Sequence, residues 1–317
     1  MDAPTNPKPL RAVWSLWTKP LTQSRRTGWI NQKYHMLSWL LSFETARRFY
    51  PETHLVTDDE GARLLVDGLG LEFEHVSTKL NALAHHDADW WALGKLYAYR
   101  EQEAPFVHLD ADVFLWRPLP ERVAAAGVFA QNPEPFRPGT STYQPELLEH
   151  ALTAHAHGWL PEEWLWFRRA RHDRQRGDCC GVIGGTHTDF IRHYAETALR
   201  LVNDPANRRG WSRVENKVDS MLLIEQYMLA ACVEYHVTEP ASPFAGLRLA
   251  YLFNSVAEAY EPGSASRLGY THLIGHAKQD AAVADRLERR VRQDYPEQYE
   301  RCLALFPDAE AQLAQAT

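Results

Sequence analysis

The chain has 317 residues and a formal net charge of −7 at neutral pH; 45% of its residues are hydrophobic, 24% charged and 11% aromatic. That balance belongs to an ordinary globular protein and excludes a generally basic nucleic-acid binder. No run approaches the roughly 20 apolar residues of a membrane span, and the N-terminus carries no apolar leader, which points to the cytoplasm. Four cysteines (Cys179, Cys180, Cys232, Cys302) show no metal-ligand spacing, as expected of buried thiols in a reducing compartment.

Residues 1–10 read as a loose, proline-rich lead, and "RAVWSLWT" (11–18) as a first strand. Ile30, Tyr34, Leu37 and Leu41 recur at helical spacing and predict a helix from about Trp29 to Tyr50. "THLVTDD" is a second strand, "EGARLLVDGLG" a short helix and "LEFEHV" a third strand. Asp87 and Asp89 precede the helical pattern of "WWALGKLYAYREQE", where a carboxylate serves as N-cap and dipole partner. The neighbouring His85 and His86 leave a metal reading open there.

"FVHLDADVFLW" repeats the Asp-Ala-Asp tripeptide at 110–112, now inside an apolar strand-like run. Burying one unpaired carboxylate costs several kcal/mol. On a strand Asp110 and Asp112 face the same side and repel each other, and a divalent cation held by hard oxygens resolves the conflict. Further on come a strand "GVFAQN", helices near 145–156 and 161–176, and a strand "CCGVIGGT" (179–186). Helices at about 188–202 and 219–232 precede strands "VEYHVTE" and "GYTHLIG", and a C-terminal helix runs from about Ala281 to Leu305.

Alternating strands and helices in the first half imply an α/β chain with a mixed, mostly parallel sheet flanked by helices. Ligands of such sheets sit beyond the carboxyl ends of strands, where Asp110 and Asp112 fall. The segment from Trp166 to Lys217 holds eleven Lys/Arg against six Asp/Glu, densest at Arg168, Arg169, Arg171, Arg174 and Arg176. It is either a solvated helix face or a contact for an anionic acceptor or a membrane surface.

"THLIGHAKQD" contains His272, Gly275 and Lys278 in the pattern H-x-x-G-x-x-K. With the strand-end D-x-D more than 150 residues upstream, it resembles the nucleotide-sugar glycosyltransferases of the GT-A fold. The spacing is most similar to the retaining family that includes glycogenin and the lipooligosaccharide galactosyltransferases. The resemblance implies a Rossmann-like GT-A sheet forming one catalytic domain over 1–317. Its nucleotide-binding half would span about 11–132, its acceptor and sugar half about 133–280, and its C-terminal helix about 281–317. It implies a metal-dependent hexosyltransferase using Mn²⁺ or Mg²⁺ and a UDP-linked sugar, with a glycan, lipid-linked or peptide acceptor.

Carried over, Asp110, Asp112 and His272 are metal ligands, with Ala111 between the carboxylates at the donor. Gly275 admits the diphosphate and Lys278 neutralises leaving-group charge. Lys95 is placed like a basic residue that meets the donor; Trp14, Ser15 and Thr18 lie where such enzymes hold base and ribose. For Trp14 core packing is an equal reading. Asp219, Glu225 and Gln226 fall where the family has an acid-Gln pair near the transferred sugar. In a retaining reaction Glu225 or Asp219 would steady the oxocarbenium-like sugar; in an inverting one Glu225 is the first choice of general base. The family's Pro-Trp after the lysine is here Gln279-Asp280, and the asparagine before Gly181 is Cys180. Two alternatives stand beside this reading: a sugar nucleotidyltransferase, which normally needs a Gly-rich loop after the first strand, and a non-catalytic nucleotide-sugar-binding protein on a transferase scaffold.

Overall fold

The computed structural model describes residues 10–23, 28–137, 139, 142–154, 158–261 and 263–307. The proline-rich lead, apart from Leu10, lies outside them. Among the described residues eleven strands follow in chain order: β1 (Arg11–Leu16), β2 (Thr53–Thr57), β3 (His75–Ser77), β4 (Phe106–Leu109), β5 (Val113–Leu115), β6 (Val128–Ala130), β7 (Pro133–Pro135), β8 (Arg176–Asp178), β9 (Val182–Gly185), β10 (Leu249–Tyr251) and β11 (Tyr270–His272). The fold is mixed α/β, with seven of these strands in a mostly parallel sheet flanked by helices. No helix of the described residues is long and apolar enough to cross a membrane.

The chain divides into two compact units that interleave along the sequence. One comprises Met1–Arg11, Asp89–His108 and Leu119–Ser264; the other comprises Ala12–Ala88, Leu109–Pro118 and Ala265–Thr317. The first unit holds the sheet order β10-β6-β9-β4, with β10 parallel and β9 antiparallel to β6. All four residues of β4 are buried, as in a strand covered on both faces. Tyr99, Tyr194, Tyr227, Trp164 and Phe167 are fully buried in this unit's helical layer. Trp164 and Trp211 are core. Four of the five clustered arginines pair with carboxylates of the same unit: Arg168 with Glu146 and Glu149, Arg171 with Glu234, Arg174 with Asp173, and Arg176 with Asp178 and Glu234.

The second unit holds β1-β2-β3, all parallel, and the antiparallel pair β5-β11. Its helix Gln32–Ala46 starts where Asn31 accepts a hydrogen bond from the Tyr34 amide, and every residue from Lys33 onward is buried. Lys33 is tolerated there because its ammonium lies 3.1 Å from Glu288 on the helix Ala281–Asp294.

Several expectations need correction. The helix expected at 29–50 is shorter at both ends. "VEYHVTE" is not a strand: the helix Met228–Thr238 runs through it, because the preceding helical stretches from Lys217 continue unbroken and override the β-branched run. The C-terminal helix is two, since Pro296 opens a new one at Pro296–Leu305. Neither Asp87 nor Asp89 caps the helix expected after them. The helix Leu93–Arg100 begins after Ala92 without a side-chain cap. Docking sets that start instead: the Trp90 ring meets Trp211, and the Trp91 indole N–H donates to the Val218 carbonyl at 3.0 Å.

Candidate metal centre

Asp110, Ala111 and Asp112 sit in the second unit, in the turn between β4 and β5. The strand ends at Leu109, so the two carboxylates do not share a strand face as expected. They converge because the turn folds back, with the Val113 amide donating to the Asp110 carbonyl at 3.0 Å. The return strand brings the third group: β11 pairs antiparallel with β5, setting His272 opposite Val113, and the Leu273 amide donates to the Asp112 carbonyl at 3.0 Å. Ligand atoms of Asp110, Asp112 and His272 all lie within 4.8 Å of one another.

A row of hydroxyls that sequence reasoning missed fastens this turn. Ser38 Oγ donates to the Ala111 carbonyl at 2.6 Å and Ser42 Oγ to the Asp110 carbonyl at 3.2 Å; Thr45 Oγ1 accepts from the Leu115 amide at 3.2 Å. Positions 38, 42 and 45 share one face of a helix, so a polar stripe in an otherwise apolar helix was the available signal. Trp14 completes the support. It is fully buried against Phe43 and Phe73, and its indole N–H donates to Ser42 Oγ at 3.0 Å.

Asp112 is buried, with Lys278 Nζ 2.5 Å from one carboxylate oxygen and His272 Nε2 3.4 Å from the other. Burial alone would push its carboxyl up. The Lys278 ammonium and His272 outweigh burial and hold the acid well below the usual carboxylate range. Two carboxylates and an imidazole within reach of one point are a donor set that suits Mn²⁺ or Mg²⁺, the imidazole favouring the former.

Gly275 opens the short turn Gly275–Gln279 with a φ of +55° and nothing within 4 Å of where a Cβ would project, leaving the backbone open to an approaching group. The residues that replace the family's Pro-Trp have structural work of their own. Gln279 donates to the Gly28 carbonyl at 2.5 Å, and Asp280 caps the helix Ala281–Asp294. Thr18 donates through both its amide and its hydroxyl to Asp58, at 2.8 Å each. It lines a cleft of about 230 Å³ with Gln32, His35, Met36, Arg63 and Leu305. His35 is also new: burial and the Lys278 ammonium push its imidazole down to about 4. Ser15 is half-buried in β1.

Lys95, Asp219, Glu225 and Gln226 belong to the first unit. Glu225 is fully buried, its Oε1 2.7 Å from Lys95 Nζ and accepting from the Tyr99 hydroxyl at 2.9 Å. Gln226 meets the Tyr143 hydroxyl. Both lie in a single π-helical turn, Leu223–Tyr227, a form that often marks functional sites. Asp219 is exposed and lines a groove of about 610 Å³ with Gln144, Leu148, Arg213, Asn216 and Leu223. Cys180, standing where the family has asparagine, is fully buried and its thiol donates to the Asp178 carbonyl at 3.2 Å.

The family model of DUF6734, a family of unknown function, matches residues 10–305. No curated protein matches the sequence. Among solved structures, the apo structure of WbbM, a bifunctional glycosyltransferase, is similar at 11% identity and a TM-score of 0.33. That likeness covers 70% of this chain and 38% of the other, so the chain spans well under half the length of that structure.

Proposed function

The chain belongs to DUF6734, a family of unknown function, and for it we propose a metal-dependent glycosyltransferase that moves a sugar from a UDP-linked donor to an acceptor hydroxyl. One observation carries the reading: Asp110, Asp112 and His272 converge within 4.8 Å, on a turn fastened from behind, with Lys278 on Asp112. Asp110, Asp112 and His272 would hold Mn²⁺ or Mg²⁺, which when bound supplies Lewis-acid neutralisation of a diphosphate.

The chain's own groups do the rest. Lys278 offers an ammonium to the leaving diphosphate, preorganised stabilisation where negative charge develops. Gly275 leaves open space through which a phosphate oxygen can approach the backbone. The cleft beside Thr18 and His35 takes the nucleoside, and Ser15 the ribose. Trp14 serves through its bond to Ser42, not by stacking on a base.

In the first unit, the groove at Asp219 takes the acceptor, and Asp219 is an exposed carboxylate able to receive a hydroxyl proton. Gln226 accepts from the Tyr143 hydroxyl and holds that ring. Glu225, with no exposed surface, positions Lys95 and touches no substrate. The buried Cys180 favours one second reading, a protein that binds a nucleotide sugar without transferring it.

A thermal-shift panel of UDP, GDP, CDP and dTDP, each with and without Mn²⁺, tests the site. A ligand at a hundred times its dissociation constant stabilises by about 2.7 kcal/mol. The expected result is a Mn²⁺-dependent shift with UDP that Asp112→Ala abolishes. No metal-dependent shift with any nucleotide overturns the proposal, and a shift without release of UDP from its sugars selects the binding protein.

A further inference from the structure

The first unit contains a second convergence of ligand-type side chains, and no part of the proposed transfer uses it. Glu163 stands in the first turn of the helix Glu162–Ala170, His193 on the helix Thr188–Asn203, and Cys232 and His236 one turn apart on the helix Met228–Thr238. Glu163 Oε1 lies 2.8 Å from His193 Nε2 and 3.5 Å from His236 Nε2, and the two imidazole nitrogens are 3.0 Å apart. Glu163, His193 and Cys232 each place a ligand atom within 4.8 Å of the others.

Protons alone do not account for this triangle. Each Nε2 carries at most one hydrogen. If both are protonated, both can donate to the carboxylate, but the two N–H groups then face each other across 3.0 Å. If only one is protonated, the bare nitrogen turns a lone pair toward Glu163. With Glu163 ionised, no choice of tautomers makes all three contacts attractive, whereas a cation among them makes every one a ligand pair. Tetrahedral zinc, with bonds of about 2.0–2.1 Å to nitrogen and oxygen, sets its ligand atoms about 3.3 Å apart, and the three sides of 2.8, 3.0 and 3.5 Å bracket that value.

The surroundings agree. His236 Nδ1 lies 2.7 Å from Ser242 Oγ, which itself accepts from the Phe244 amide, so the far side of the ring is held as an outer-shell partner holds a ligating histidine. Glu163, Cys232 and His236 are buried, and Phe190, Tyr235 and Phe244 wall the His236 ring. His193 is 35% exposed and gives an ion its way in. A carboxylate and a thiolate neutralise a divalent cation, which suits a buried place.

We propose that Glu163, His193, Cys232 and His236 form a structural zinc site that pins three helices of the first unit together. Mixed nitrogen, oxygen and sulfur donors select zinc over magnesium or calcium. The proposal is independent of the transferase reading; its test runs in Asp112→Ala protein to weaken the carboxylate-turn cluster, and the thiolate band and the His193→Ala variant tell this site from the group Glu52, His54 and His75.

The chain is stripped with chelator, loaded with Zn²⁺ or Co²⁺, desalted and assayed for metal. One equivalent is expected, with the cobalt form showing tetrahedral d–d bands and a near-ultraviolet thiolate-to-cobalt band. Cys232→Ser should remove the thiolate band, and His193→Ala, at the half-exposed position, should lower the retained metal at least tenfold with an unchanged circular dichroism spectrum. Failure to retain metal, an octahedral cobalt spectrum, or full retention in His193→Ala overturns the site.

Discussion

The tripeptide Asp-Ala-Asp occurs twice, and the two copies have opposite fates. At 87–89 it sits in a turn, with Asp87 exposed and Asp89 half-buried, and neither is in a metal-capable group among the described residues. At 110–112 the same three residues are fastened by Ser38 and Ser42, and Asp112 is buried against Lys278 and His272. The difference lies in what returns to meet them. A strand arriving more than 150 residues later supplies the imidazole to the second copy, and the short turn after that strand supplies the ammonium. A pair of carboxylates becomes a site only when tertiary structure brings its partners.

Five substitutions or conditions sharpen that contrast, from the largest effect to the smallest. Asp112→Asn keeps shape and removes charge, so transfer from a UDP-sugar should fall at least 100-fold, in the range seen when one preorganised electrostatic partner is lost. Asp89→Asn should leave the rate within twofold, and equal losses in the two variants would erase the distinction. Acid comes next. His35 is buried as the neutral form with its imidazole pushed down to about 4. Its contribution is therefore fully present above the unfolded value of about 6.5 and is lost as the pH falls toward 4, by up to about 3 kcal/mol. The thermal midpoint of the wild-type chain should fall over that window, and more steeply than that of His35→Gln.

Gly275→Ala is a smaller perturbation. Nothing stands within 4 Å of the added methyl, so only the positive φ is penalised, at about 1–2 kcal/mol by chemical denaturation. Asp87→Ala, on the exposed copy, should change stability by less than about 0.5 kcal/mol.

Much of this was legible in the sequence, and the failures have physical causes. The apolar runs that became β1, β2, β4, β6 and β9 announced themselves by length and flanking polar residues; the meeting of His272 with Asp110 and Asp112 was implied only by the resemblance of H-x-x-G-x-x-K and D-x-D to a known family. The route to that convergence was misread, because alternation along a strand was assumed where a turn does the work. "VEYHVTE" reads locally as a strand, yet it continues a helix. That error also hid Cys232 and His236, which a helix sets one turn apart and beside Glu163 and His193 from two other helices. No local pattern reveals such a four-part meeting. Ser38, Ser42 and Thr45 were overlooked because small hydroxyls in a buried helix look inert until their carbonyl and amide partners are known.

Ser38 and Ser42 grip the carboxylate turn by its main-chain carbonyls. The identity of residues 110–112 is thereby decoupled from the path of the backbone through them. Side chains at the tripeptide can be exchanged without moving the frame that presents them, so this turn is a mount on which ligand chemistry can be rewritten while the fold stays where it is.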